Sequence, residues 1–219
     1  MKGEAAMEYH MIDMSTYPRQ AHFAYFNAMP DPYVGVTVDV EVGPMLEVCR
    51  KESWPFFLSF LYCAGRAANA VPELRQRIRE GGIIEFDACD TSHTVLRDDG
   101  TYSYCRLDCM KSFDRFLPEA KRRHEEAKAQ VNLDDGEDGI GLLFLSCVPW
   151  LHYTDLRQPV PTPADSNPRI TWGKYMTEHG RTTVPVTLLA NHTLVDGIHI
   201  GAFYDRLREE LNCFVEGRP

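Results

Sequence analysis

The chain has 219 residues, 44% of them apolar, and a formal net charge of −9. This length and apolar content fit one large domain with a sizeable buried core. The acidic balance, without any stripe rich in lysine or arginine, argues against a nucleic-acid partner, although a local basic pocket for a phosphorylated ligand is compatible with it.

In the first half of the chain, the apolar pattern predicts several strands and one buried helix. Residues 34–42 alternate valine with small or acidic residues, which is typical of a half-buried strand. Between Pro55 and Pro72, apolar side chains recur at helical spacing and predict a mostly buried helix. The segments GGIIEFDA, SHTVL and DDGTYSYCRL then predict short strands, the last of them after a hairpin turn.

From about residue 111 to residue 175, the sequence predicts a charged helix, a buried strand and a proline-rich segment. The helix begins near KSFDRF, with Phe113, Phe116, Leu117 and Ala120 facing the core, and an acidic loop follows it. The run GIGLLFLSCVPWL predicts a buried strand. Four prolines within residues 155–175 predict a long surface loop without regular structure.

The C-terminal part predicts a strand, TTVPVTLLAN, and then an amphipathic helix. Ile198, Ala202, Leu207 and Leu211 are expected on the buried face of that helix. We find no internal repeat and no low-complexity linker, so strands and helices are expected to share one core. The prediction is an α/β or α+β architecture in a single domain, residues 1–219.

Two further features concern location. The N-terminus lacks the apolar core of a secretion signal, and Pro, Gly or Arg interrupts every apolar stretch before it reaches membrane-spanning length. The number of cysteines, seven, is odd, and their spacing does not match a disulfide framework. This favours free thiols in a reducing compartment. We therefore expect a cytoplasmic protein that does not bind membranes.

His192 and Asp196, in NHTLVDG, are the first candidates for chemistry. A histidine at a strand end titrates near neutral pH and can act as a general base towards a hydroxyl or thiol. The alternative is that His192 is an ordinary loop residue and Asp196 caps the C-terminal helix. Spacing alone leaves both interpretations open.

The same segment could in principle bind a metal, since His192, Asp196 and His199 carry suitable donor atoms. We do not predict a metal site, because helical phase is expected to turn His199 away from Asp196 and no cysteine pair completes a ligand set.

Two other residues are notable. Ser146 brings a hydroxyl into an apolar strand, and Arg19 is an isolated cation beside an aromatic cluster.

Six segments, in the same order, resemble motifs of the chloramphenicol acetyltransferase family over nearly the whole chain. They are YPRQAHFAYF, NAVPELRQRI, HTVL, FLSCVPWLHYT, TWGKY and NHTLVDGIHI. The resemblance implies a two-layer sandwich, with a mixed β-sheet and helices packed on one side. It also implies a homotrimer with active sites at the subunit interfaces and acetyl-CoA as co-substrate.

By this resemblance His192 matches the catalytic base, which removes a proton from an acceptor hydroxyl as that oxygen attacks the thioester of acetyl-CoA. Ser146 matches the hydroxyl that stabilises the resulting oxyanion, and Thr171 a second hydroxyl that acts through water. Asp196 matches a carboxylate paired with Arg19, so its implied role is structural.

The remaining matches concern the two substrates. Lys174 and Tyr175 match positions near the nucleotide of the cofactor, where a cation and an aromatic ring suit phosphate and adenine. Phe26 stands where members that modify chloramphenicol often have a tyrosine in the acceptor pocket, and Asn191 replaces the first histidine of the usual pair. Phe26 and the proline-rich segment after Trp150, which also differs from the family pattern, both lie on the acceptor side, so the resemblance supports acetyl transfer better than it supports chloramphenicol as the acceptor. A catalytically silent trimeric binding protein is the third alternative.

Overall fold

The computed structural model describes residues 7–133 and 137–217, apart from the side chains of residues 137 and 138. The acidic loop predicted after the charged helix lies partly outside these residues. The strands are β1 (Tyr9–Met11), β2 (Tyr33–Glu41), β3 (Gln76–Arg79), β4 (Gly82–Phe86), β5 (Thr91–Leu96), β6 (Tyr102–Leu107), β7 (Leu143–Cys147), β8 (Arg169–Trp172), β9 (Met176–Glu178) and β10 (Arg181–Asn191). The helices are α1 (Gln20–Asn27), α2 (Gly43–Lys51), α3 (Phe56–Asn69), α4 (Pro72–Arg75), α5 (Phe113–Ala129), α6 (Gly197–Val215) and the short 3-10 turn Glu137–Gly141.

A mixed sheet forms the centre of the molecule, in the strand order β2-β10-β8-β7-β5-β6, with β9 also paired to β10. β7 runs parallel to both β5 and β8, and the other pairs are antiparallel. The last eight residues of β10 are all buried, as expected for a strand covered on both faces. A smaller sheet has the order β1-β4-β3. The predicted mixed sheet with helices is confirmed.

The helices cover the sheet through apolar faces. α3 packs against α2, α5 and α6, and eleven of its fourteen residues are buried. The four residues predicted to face the core from α5, namely Phe113, Phe116, Leu117 and Ala120, are all buried. No helix in the described part of the chain has both the length and the apolar character needed to cross a membrane.

The prediction of an unbroken loop over residues 155–175 is wrong at its C-terminal end. Residues 169–172 form β8, a fully buried strand between β7 and β10. The prolines end at Pro168, and the next four residues alternate the polar side chains of Arg169 and Thr171 with the apolar side chains of Ile170 and Trp172. A strand this short between proline and glycine gives little periodic signal.

The buried face predicted for α6 is also partly wrong. Leu207 and Leu211 are buried, but Ile198 is 76% exposed. Residues nine positions apart on an α-helix lie on opposite sides, since each residue turns the helix by about 100°. Ile200 and Phe203, together with Leu207, define the buried face instead.

Candidate active site

His192 lies immediately after β10, in the turn that leads into α6. Its backbone N–H donates to the carbonyl of Pro32, at 2.6 Å. The preceding Asn191 is buried; its amide donates to the carbonyl of Asp165 at 2.8 Å, and its side-chain oxygen accepts from the backbone N–H of Thr193 at 3.0 Å. Asn191, which replaces the first histidine of the usual pair, therefore holds the backbone around His192 in place.

Arg19, at the start of α1, holds the same turn through three donated hydrogen bonds. Its Nε donates to Oδ2 of Asp196 at 2.8 Å, and its two terminal nitrogens donate to the carbonyls of His192 and Thr193, both at 3.2 Å. Burial alone would raise the pKa of Asp196, but the hydrogen bond and charge of Arg19 hold that pKa below its usual range. The carboxylate thus stays charged and keeps Arg19 in position.

The imidazole of His192 is oriented mainly by an aromatic ring. Phe26 of α1 stacks on it with the ring centres 3.9 Å apart and the planes inclined by 14°. Nδ1 of His192 lies 3.1 Å from Oδ1 of Asp196, but the two groups are not aligned as a hydrogen bond. Asp196 is therefore a close neighbour of the imidazole and not its hydrogen-bond partner.

His199 does not turn away from Asp196, as helical phase had led us to expect. Asp196 is the N-cap of α6, and its backbone N–H donates to Nδ1 of His199 at 2.9 Å, because a side chain three positions into a helix can fold back onto the cap. Within the described ranges, no group of three His, Cys, Asp or Glu residues could hold a metal ion.

Ser146 and Thr171 are neighbours across the parallel strands β7 and β8. The hydroxyl of Ser146 lies 3.0 Å from that of Thr94 on β5. Among the residues that the structure describes, the buried Oγ1 of Thr171 has no hydrogen-bond partner. Sequence reasoning missed Thr94, although it belongs to the HTVL motif on which part of the resemblance depends.

A cavity of about 1020 Å³ opens beside Ser146. Lys174 and Tyr175 line it, and so do Lys121 and Lys128 of α5, which sequence reasoning did not select. Its apolar and aromatic walls include Phe56, Phe57, Trp150 and Trp172. We call this the large cavity; a long, partly apolar ligand with phosphate groups fits such a lining.

A second cavity of about 300 Å³ shares Thr94, Tyr102 and Ser146 with the first. We call it the small cavity. Ser146 therefore lies where the two cavities meet. A ligand in the large cavity and a second ligand in the small cavity could both approach its hydroxyl.

Within one chain, His192 does not meet these hydroxyls. Thr171 pairs with Thr187 on β10, and His192, the first residue after that strand, follows five residues later. At about 3.3 Å per residue the separation along the strand is about 16 Å, more than the side chains can span. One chain thus carries the two halves of the predicted site at separate places.

Comparison with known protein families matches residues 7–208 to the family described as Chloramphenicol acetyltransferase. The chain belongs to this family. Chloramphenicol acetyltransferase 3 of Escherichia coli is 25% identical over 210 residues, covering 94% of this chain and 98% of its own. A chloramphenicol acetyltransferase from a Klebsiella species is 26% identical over 207 residues, covering 92% and 93%.

Solved structures agree with this membership. A chloramphenicol acetyltransferase superposes with a TM-score of 0.85 at 26% identity, covering 93% of this chain and all of that one. The dihydrolipoamide acetyltransferase of Azotobacter vinelandii has a TM-score of 0.67 at 16% identity, with 90% and 88% covered, and shares the fold. As a member of the chloramphenicol acetyltransferase family, the chain is an acyltransferase, and acetyl-CoA is the family's co-substrate.

Proposed function

We propose that the protein transfers the acetyl group of acetyl-CoA to a hydroxyl group of a small acceptor, with His192 as general base. The imidazole takes the hydroxyl proton as the acceptor oxygen attacks the thioester carbonyl. The tetrahedral oxyanion then collapses, expels the thiolate of CoA, and the thiolate recovers the proton from His192. No acyl-enzyme is formed.

The observation that carries this proposal is the position of Ser146 at the junction of the two cavities. An oxyanion forms where donor and acceptor meet, and a hydroxyl at that point can donate to it. One such donor contributes about 3 kcal/mol to lowering the barrier. Thr94, 3.0 Å away, can orient the Ser146 hydroxyl, and Thr171 would act through a bound water.

The large cavity is the proposed site for acetyl-CoA. Lys121, Lys128 and Lys174 supply cations for its phosphates, and the ring of Tyr175 can stack on adenine. The apolar walls suit the pantetheine arm. This local cluster of lysines is compatible with the net charge of −9, which averages over the whole chain.

The separation of His192 from Ser146 supports an oligomer in which one copy supplies the base and its neighbour supplies the oxyanion hydroxyl. A homotrimer is the arrangement implied by the resemblance, and a ring of identical interfaces would repeat such a composite site three times. In this arrangement Arg19 and Asp196 hold the turn that carries His192, and Phe26 orients its imidazole towards the neighbouring copy.

Chloramphenicol is the acceptor named for the relatives, so inactivation of this antibiotic, and resistance to it, is the first activity to assay. A different hydroxyl compound is the second candidate. The polar lining of the small cavity favours it, because eight of the eleven residues around that cavity can form hydrogen bonds.

The test is release of the CoA thiol by purified protein supplied with acetyl-CoA and a panel of alcohols that includes chloramphenicol. The substitution His192→Ala should lower turnover by about 10²-fold to 10⁴-fold without loss of folding. The exposed His10 of β1, changed to alanine in the same way, serves as the control and should leave turnover unchanged.

Two results would overturn the proposal. An unchanged rate in the His192→Ala variant would show that His192 is not the general base. Absence of both turnover and acetyl-CoA binding would favour the silent binding protein.

A further inference from the structure

The turn that carries His192 is held from two directions. On one side Arg19 donates to the carbonyl of His192. On the other side the backbone N–H of His192 donates to the carbonyl of Pro32 at 2.6 Å, and the amide of Asn191 donates to the carbonyl of Asp165 at 2.8 Å. The place of the turn on this second side therefore depends on what fixes Pro32 and Asp165.

Asp165 connects the two groups that precede and face the turn. Tyr33 directly follows Pro32, and its hydroxyl lies 3.0 Å from the carbonyl oxygen and 2.9 Å from Oδ1 of Asp165, both of which can accept from it. Tyr33 is also the partner of Asn191 in the pairing of β2 with β10. The carbonyl of Asp165 thus accepts from two residues, one adjacent to Pro32 and the other adjacent to His192.

Arg169, the first residue of β8, holds Asp165 in turn. Its two terminal nitrogens each donate to a different carboxylate oxygen of Asp165, at 2.8 and 2.7 Å, and its side chain is only 8% exposed. The guanidinium lies 5.7 Å from the ring centre of Tyr33 and 5.5 Å from that of Phe144. A bidentate pair placed between two rings has one well-defined geometry.

The hydroxyl of Tyr33 keeps its proton in this setting. Burial is the main cause that raises the pKa of Tyr33, and the neighbouring charge of Asp165 raises it further. The phenol therefore remains a donor to Asp165 over the ordinary pH range. Since β10 runs antiparallel to both β2 and β8, Tyr33, Arg169 and Asn191 meet at the end of the sheet from which His192 emerges.

We propose that Asp165 is a positioning residue for His192, which acts through Tyr33 and Asn191. This inference rests on the proposed acetyl transfer, because the place of the imidazole matters to the rate only if it is the base. A displacement of about 1 Å in a catalytic group can lower a rate by about 10²-fold. Asn191 stands in place of the usual histidine, and its amide is the donor that links the turn to Asp165.

The mildest test is Tyr33→Phe, which keeps the ring beside Arg169 and removes only the hydroxyl. With acetyl-CoA and the alcohol that gives the fastest turnover, kcat should fall by about fivefold to twentyfold. The KM for acetyl-CoA should stay within about twofold, since Tyr33 does not line the large cavity. Tyr9→Phe removes an exposed hydroxyl that accepts from Arg79 and should leave both values unchanged.

Asp165→Asn tests the central residue itself. It removes the charge that faces Arg169 and should lower kcat by about tenfold to 100-fold, again without a change in the KM for acetyl-CoA. Asp205→Asn, in the exposed pair with Arg208, is the matched control and should leave kcat unchanged. Circular dichroism verifies the folding of each variant, and if Asp165→Asn does not fold, the Tyr33 variant decides alone.

The same substitutions in the His192→Ala background separate positioning from a general structural effect. A residue that acts through His192 should cause no further loss in the residual rate. Equal losses in both backgrounds, or an unchanged kcat in Tyr33→Phe and in a folded Asp165→Asn variant, would overturn this inference and leave His192 as the base. A His192→Ala variant as fast as the wild type would overturn the proposed function, and this inference with it.

Discussion

At the scale of single residues, the turn that carries His192 is held by groups that are distant in the sequence. Arg19 donates to Asp196 and to two carbonyls of the turn, and Phe26 stacks on the imidazole. The resemblance predicted the pair of Arg19 with Asp196. Nothing in the local spacing could predict the stacking by Phe26, because it depends on how α1 packs beside the end of β10.

We expect Asp196→Asn to lower both stability and turnover. The change leaves Arg19 without its counter-ion in a site where that arginine side chain is only 14% exposed. The expected loss is about 1–3 kcal/mol in the free energy of unfolding, measured by urea denaturation.

The exposed ion pair of Asp205 with Arg208 provides the control for this substitution. Asp205→Asn should change the free energy of unfolding by no more than about 0.5 kcal/mol. Equal losses in the two variants would contradict the positioning role proposed for Asp196.

At the scale of secondary-structure elements, the long periodic segments and most of the short strands are predictable from the sequence, and β8 is not. α3, α5, β2 and β10 follow clear apolar patterns, and the structure contains all four. β8 has four residues and was predicted as loop, since its burial comes from the neighbours β7 and β10. The predicted phase of α6 is wrong because Ile198, in its first turn, faces away from the core.

Gly173, directly after β8, gives a test of this close packing. A Cβ at this position would lie 2.5 Å from the backbone oxygen of Leu151 and 2.8 Å from the ring of Pro185. Gly173→Ala should therefore destabilise the fold by about 1–3 kcal/mol. It should also raise the KM for acetyl-CoA, because Lys174 is the next residue and lines the large cavity.

A glycine-to-alanine substitution within α6, at Gly201, should raise the stability of the fold instead of lowering it. A Cβ at Gly201 meets nothing within 4 Å, and alanine is favoured over glycine inside a helix, so Gly201→Ala should stabilise by about 0.5–1 kcal/mol. Thermal unfolding measures both changes, and a stable Gly173→Ala variant with unchanged KM would contradict the predicted contact.

The contact between β5 and α5 should make stability depend on pH. Nε2 of His93 lies 3.2 Å from Nδ1 of His124, and burial lowers the pKa of His93 from 6.5 to about 3. Between these pH values the unfolded chain binds more protons than the folded one, so stability decreases as the pH falls below 6.5. The slope for this residue is at most about 1.4 kcal/mol per pH unit.

His93→Phe should remove most of this dependence, because the aromatic ring fills the same buried space and cannot titrate. Denaturation midpoints for both proteins, measured from about pH 7 to pH 4, compare the slopes. Parallel slopes would show that His93 is not the group responsible.

At the scale of the whole molecule, the sequence predicts the fold class and the enzyme class, while the mechanism and the homotrimer with sites between subunits stay predictions. The mixed sheet and the acyltransferase class are confirmed. All seven cysteines are free thiols, and the reducing compartment and cytoplasmic location stay predictions. The two cavities and the distance between His192 and Ser146 follow from strand order and register, which no single motif specifies.

In the proposed enzyme, His192 and Ser146 act in one site contributed by two copies of the chain. Mixing the His192→Ala and Ser146→Ala variants, each nearly inactive alone, after joint denaturation and refolding tests it most directly. Random mixing should restore about a quarter of the sites, those with an intact His192 from one copy and an intact Ser146 from the other. Thiol release should then reach about a quarter of the wild-type rate, whereas no recovery in verified mixed oligomers would contradict the account.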